Sequence, residues 1–277
     1  MAKGIGLIGN FKGKVGNMVG YKLSDSNTGN TQGIRVYQPS VKNPKTAAQA
    51  EQRAKLAPIN ATYRALKMII DRGNEGLPYG NKSRLAWLKV AFKAADMPWY
   101  VKGDTVVNPV PCQLTKGSLV NFANRTINDS TVGVPVQLAE QVDPYTVKQV
   151  SESLLEVNSF LKEGDQLTFV GINGGASTID PVVLSFVIDT TDTTAVPTGF
   201  NVNTSSFGIA AADEFSAGTI ILSREGANGE HLRSTSMLEK TSAYPATITG
   251  AEAKAAAIAS YQSSASANAD WAEESIQ

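Results

Sequence analysis

The sequence predicts an α+β protein: an N-terminal glycine-rich β-hairpin with basic helices, followed by a mainly antiparallel β-sandwich or barrel-like domain with one or two helices. Three observations predict it. Apolar residues alternate at spacing two early in the chain, switch to helical spacing after Thr46, and return to strand-like runs in the second half. Lys and Arg crowd the first part of the chain, whereas Ser, Thr, Asp and Glu crowd the rest. A strong hairpin dipeptide, Asn228-Gly229, joins two of the late apolar runs.

The first elements are strands. In "KVGNMVGYKL", Val15, Val19, Tyr21 and Leu23 share one face at spacing two, and "GIRVYQP" resumes the pattern after the polar loop "SDSNTGNTQG". Gly4, Gly6 and Gly9 match the spacing of a dinucleotide-binding fingerprint. Too few residues precede them for a strand and no helical pattern follows, so glycines in twisted strands are the better reading.

Asn43-Pro44 then ends the extended segment, and Thr46 with Gln49 three residues on has capping-box spacing. Pro58 is expected to bend or split the helix that follows. Ile59, Tyr63, Leu66 and Ile70 recur at helical spacing and form its inward stripe, ending near Gly73. The 3.6-residue period places Arg53, Arg64 and Lys67 on a line about 100° from that stripe. A second helix, "NKSRLAWLKVAFKAAD", directs Leu85, Leu88 and Phe92 inward, with Lys82, Lys89 and Lys93 about a quarter turn away. Lysines four apart repel one another in an isolated helix, so an external anion or acidic surface would compensate them; a solvated face is the plainer alternative.

Composition changes near Gly103, which suggests three segments: residues 1–103, basic hairpin and helices; 104–248, acidic and β-rich; 249–277, an Ala-rich helix and acidic tail. Within the middle segment, "TVGVPVQL", "DQLTFVGI", "VVLSFVID" and "GTIILSRE" read as strands, the last pairing with "HLRSTSML". A helix is expected over residues 145–161, with Val150, Leu154 and Leu161 on its core face. Thr249 and Glu252 have capping-box spacing before the last helix, and Asp270, Glu273 and Glu274 surround Trp271 in the tail.

The formal net charge of zero conceals a segregation. Through Gly103 the chain holds 17 Lys and Arg against 5 Asp and Glu, and beyond it 8 against 20. The basic part is therefore expected to meet nucleic acid, the acidic part of its own chain, or the acidic part of a neighbour.

Most catalytic chemistries lack their residues. Cys112 is the single cysteine, which leaves no intrachain disulfide and no cysteine-built zinc site. His231 is the single histidine and follows a hairpin turn, where a surface role is the ordinary one. No nucleophile elbow or Walker A segment occurs. Asp189 and Asp192 in "DTTDTT" lack the further ligands of a calcium loop, and the pairs Glu163/Asp165 and Asp213/Glu214 read as acidic loops rather than a glycosidase dyad. A non-enzyme without cofactor or metal is expected. No run of about 18 apolar residues is present, and "MAKGIGLIGNFKGKVGN" lacks the apolar core of a signal peptide, so no membrane association and a cytoplasmic site of synthesis are expected.

Arg53, Arg64, Lys67, Lys82, Lys89 and Lys93 are the candidate contact residues for a partner or for nucleic acid. Tyr63, Trp87, Trp99 and Tyr100 lie near them in sequence as candidate stacking surfaces. Without a helix-turn-helix, RNA-recognition or zinc-finger signature, nucleic-acid binding by these residues would be backbone-directed and sequence-nonspecific.

The segments "GKVGNMVGYK", "VKNPKTAAQAEQRAKL", "TKGSL", "FLKEGDQLTFV" and "TIILSREGANGEHLRSTSML" together resemble an uncharacterised family of gut-bacterial and phage proteins. The resemblance extends over most of the chain and is most specific at Asn43, Pro44, Thr46, Gln49 and Arg53, an Asn-Pro-x-Thr-x-x-Gln-x-x-x-Arg segment. It implies a glycine-rich N-terminal hairpin, basic helices and a β-rich remainder, points through its phage members to a virion or assembly protein made in a host cytoplasm, and supplies no catalytic residues. With the two oppositely charged parts, the expectation is a homo-oligomer or a contact with other virion proteins.

Overall fold

A computed structural model describes residues 13–23, 31–37, 46–140, 142–173, 179–246 and 249–263. The glycines before Lys12, most of the polar hairpin loop, Asn43-Pro44 and the acidic tail around Trp271 lie outside these residues. The chain forms two compact units, Met1–Pro44 and Lys45–Gln277. The composition change near Gly103 therefore falls inside the second unit.

The first unit is a three-stranded antiparallel meander of β1 (Gly13–Val15), β2 (Met18–Leu23) and β3 (Thr31–Val36). Gly16 takes a φ of 57° at the first position of the two-residue turn, where L side chains are disfavoured. The turn sets Val15 opposite Met18 and Val19 opposite Lys14. Val15 and Val19 thus occupy opposite faces, contrary to the continuous alternation expected across them, because a two-residue turn restarts the pleat.

The second unit has three layers. A small sheet has the order β5 (Thr126–Ile127), β6 (Thr131–Pro135), β10 (Ser206–Ala210), β9 (Phe200–Val202). The large sheet runs β4 (Cys112–Thr115), β13 (Ser236–Lys240), β11 (Phe215–Glu225), β7 (Gln166–Asn173), β8 (Pro181–Val187), with β12 (His231–Arg233) also paired to β11. All pairings among these strands are antiparallel. The sheets stack as a sandwich and do not close into a barrel.

Alternation along the central strands assigns their side chains to two cores. Leu167 and Phe169 of β7 and Ile220 and Leu222 of β11 face the small sheet, where they meet Val132, Val134, Phe207 and Ile209. The rings of Phe169, Phe186, Phe200 and Phe207 cluster there, with neighbouring centroids 4.7–5.9 Å apart. Gly171 serves the same face: a Cβ on it would come within 2.4 Å of the Phe215 ring. Val170, Ile172 and Ile221, on the opposite face, meet helices α1 (Ala47–Ala65), α2 (Lys67–Ile70) and α3 (Asn81–Ala91) through Ile59, Leu66, Ile70, Trp87 and Ala91. The basic helices therefore share a core with the β-rich segment.

Helix α4 (Val147–Val157) packs Val150 and Leu154 into the core between the sheets. Its capping box is complete: Gln149 N donates to Thr146 Oγ1 at 3.3 Å, and Thr146 N donates to Gln149 Oε1 at 2.9 Å. At α1 only half of the expected box forms, with Gln49 N donating to Thr46 Oγ1 at 3.3 Å. Helix α5 (Ala251–Ser263) begins after Gly250, and the Thr249 hydroxyl donates to Ala246 O instead of closing a box with Glu252.

Pro58 neither splits α1 nor ends it. A proline removes the N–H that would bond the carbonyl four residues earlier. That carbonyl belongs to Ala54, and Tyr100 N donates to it at 3.4 Å. The helix breaks at Leu66 instead, whose φ of −107° and ψ of 23° separate α1 from α2.

Candidate functional site

The six cationic candidates divide into two groups once their neighbours are placed. Lys67 forms an ion pair with Asp71 and lies 5.9 Å from the centre of the Tyr63 ring. The Lys67 ammonium is the main cause that holds the Asp71 carboxyl below its ordinary value, and Tyr63 adds a hydrogen bond of 2.9 Å. Arg53 is half-buried on α1, within electrostatic reach of Tyr261 on α5. Lys67 is thus exposed but neutralised within its own helical turn, and Arg53 lies against α5.

Arg64, Lys82, Lys89 and Lys93 are exposed, and no carboxylate pairs with any of them among the described residues. On α3 the fully buried residues are Ser83, Trp87 and Ala91; of the expected inward set, Leu88 and Phe92 pack against this core and Leu85 does not. Leu85 is 49% exposed. The reason is local: Ser83 donates from its hydroxyl to Ile70 O at 2.7 Å and receives Asn74 Nδ2 at 3.0 Å, so a polar residue anchors the helix to α2. Lys82, Leu85 and Lys89 are exposed on α3, and Lys93 is exposed in the turn that follows it.

The aromatic residues near these cations are engaged elsewhere. Trp87 is buried. The Tyr63 ring has the Arg84 guanidinium 4.5 Å from its centre and Trp87 at 6.3 Å. Trp99 lies under two ammonium groups, Lys55 at 5.1 Å and Lys254 at 5.4 Å. Both of those lysines pair with Glu51, at 3.3 and 3.0 Å, and lower its carboxyl pKa, Lys254 contributing most. This cluster fastens α5 to α1. The Tyr100 hydroxyl accepts Gly103 N at 3.3 Å.

Asp165, Glu163 and Asp189 are likewise hydrogen-bonded within the fold, whereas Asp213 and Glu214 are exposed. Asp165 is fully buried and accepts Arg224 Nε at 2.6 Å and Nη2 at 2.7 Å, with Lys162 N at 2.8 Å. The bidentate pair raises the Arg224 pKa, the hydrogen bond to Asp165 being the largest cause. Its sequence neighbour Glu163 accepts Thr190 N at 2.8 Å instead. Asp189 Oδ1 accepts Thr191 Oγ1 at 2.6 Å, Thr191 N at 2.8 Å and Asp192 N at 3.2 Å, a closed Asx turn. Those donors hold the Asp189 carboxyl low, the Thr191 hydroxyl most of all. Among the described residues no cluster of three or more His, Cys, Asp or Glu has metal-site geometry, and no helix is long and apolar enough to cross a membrane. His231 is exposed and faces the Tyr79 ring at 6.3 Å.

One feature of the surface escaped the sequence reading. A cleft of about 350 Å³ lies between the segment after β6 and helix α4, rimmed by Glu140, Glu152 and Glu156. The four-residue spacing of Glu152 and Glu156 within a helical pattern was the available signal. Tyr145 fixes the rim by donating its hydroxyl to Glu140 O at 2.8 Å. Comparison of the chain with protein-family models, curated proteins and solved structures finds no match.

Proposed function

We propose that this protein is a non-enzymatic structural or assembly protein that self-associates through its basic helices, and that the assembly it joins is a phage particle, as the sequence resemblance implies. The observation that carries the self-association is the set of exposed cations without carboxylate partners among the described residues: Arg64, Lys82, Lys89 and Lys93. Lys82 and Lys89 lie on α3 with the exposed Leu85 between them, and Lys93 follows in the turn after the helix. A helix gains nothing internally from lysines at that spacing, and an acidic partner surface removes their repulsion.

Sequence-nonspecific nucleic-acid binding uses the same cations. The engagement of Tyr63, Trp87 and Trp99 inside the fold removes the stacking platforms that single-strand binding ordinarily adds, so this reading stands second. Size-exclusion chromatography with light-scattering, refractive-index and ultraviolet detection separates the two. A multimer free of nucleic acid is expected. A complex whose nucleic-acid mass salt strips away would replace the proposal with the second reading.

A further inference from the structure

The two charged faces of the second unit belong to opposite sides of the large sheet. Helix α3 rests on the core below that sheet, whereas α4 is anchored by Val150 and Leu154 in the core above it. Each face carries two exposed like charges four residues apart, with opposite sign: Lys89 near the end of α3 and Lys93 in the turn that follows it, Glu152 and Glu156 on α4. Like charges at that spacing repel.

Lys148 pairs with Glu152 at 3.7 Å, but both side chains are about half exposed, so the pair neutralises little. No cation pairs with Glu140 or Glu156 among the described residues. The cleft beside these glutamates also presents Leu138 and the 41%-exposed Val142. Leu85, exposed between Lys82 and Lys89, is the matching apolar group on α3.

Resting on the self-association proposed above, we infer that the α3 face of one copy docks into the acidic α4 cleft of the next copy. Lys89 and Lys93 meet Glu152 and Glu156, and Leu85 enters the cleft. The two surfaces differ and lie on opposite sides of the fold, so the contact is head-to-tail. Such a contact repeats from copy to copy and generates a ring or a filament, in contrast to a self-complementary dimer.

Charge reversal tests the pairing on the full chain. K89E/K93E places acid against acid, and E152K/E156K places base against base. Each variant alone is expected to elute at the monomer mass of 29.3 kDa with the circular dichroism of the wild type. Mixed in equal amounts they are expected to co-assemble, because every contact then joins opposite charges. Variants that multimerise alone as the wild type does, or that stay monomeric when mixed, overturn the pairing while leaving self-association standing. A wild type that is itself monomeric overturns both.

Discussion

Replacing Asp165 by alanine is the most demanding test of how the sandwich is held together. The carboxylate has no exposed surface and accepts three hydrogen bonds, two of them from the Arg224 guanidinium in a fork. Removing one partner of a buried ion pair costs about 3–5 kcal/mol, because the other charge is left without compensation. The Arg224 side chain keeps 18% of its exposure and a bond of 2.9 Å to Phe160 O, so the lower end, about 3 kcal/mol, applies here. With a urea m-value of about 2–3 kcal/mol/M, the unfolding midpoint should fall by about 1–1.5 M. Equilibrium urea unfolding followed by far-ultraviolet circular dichroism measures it. The exposed Asp213, replaced by alanine, is the control and should stay within about 0.5 kcal/mol of the wild type. The double replacement of Asp165 by leucine and Arg224 by methionine should recover most of the loss, since it buries no unpaired charge. A midpoint for Asp165→Ala within about 0.3 M of the wild type would refute the argument that this pair is a structural charge site.

Two further predictions concern titration and access. Burial pushes the Glu75 carboxyl up, but bonds from Ser118 N at 2.9 Å, Arg233 N at 3.2 Å and the Ser118 hydroxyl outweigh it and leave the pKa below its ordinary value. A depressed carboxyl contributes stability above its unfolded pKa and loses it as pH falls through the folded one. Glu75→Gln should therefore flatten the fall in stability below about pH 4.5, read as urea midpoints at successive pH values, and an unchanged slope counts against the bonding described. Burial pushes the Cys112 thiol up to about 12, so the native protein should resist thiol-labelling reagents at pH 8 and react fully once unfolded. Rapid labelling of the native protein would show that the helical layer does not cover β4.

The strands were readable because their alternation is a property of adjacent residues. Residues 166–173 and 215–225 each carry two interleaved apolar sets, and these sets proved to serve two cores. The Asn228-Gly229 turn and the Thr46 cap were legible for the same reason, their partners lying within a few residues. The short strands β5, β9 and β10 escaped notice because five residues or fewer give little period to read. On α3 the expected face fails at Leu85 alone, because hydrophobicity ranks Leu85 above Ser83. The deciding contact, a serine hydroxyl on Ile70 O, joins residues 13 apart. Of the candidate site, the run of lysines along and just after α3 was visible in the sequence. The neutralisation of Lys67 by Asp71 also lay in plain view at helical spacing. The docking of α5 onto Glu51 and Trp99 joins residues distant in sequence and left no local trace.

The large sheet is a party wall. Phe169 and Val170 are consecutive residues, yet one is buried above it and the other below. A slip of β7 by a single residue would exchange the fillings of both rooms at once, so each core holds the other's register. Helices α3 and α4 pack on that wall from its two sides, each through one of the cores, so the register that fixes the cores also sets the bearing from one helix to the other. Copies joined head to tail would therefore turn by the same angle at every step, and the curvature of the assembly would already be encoded in a single chain.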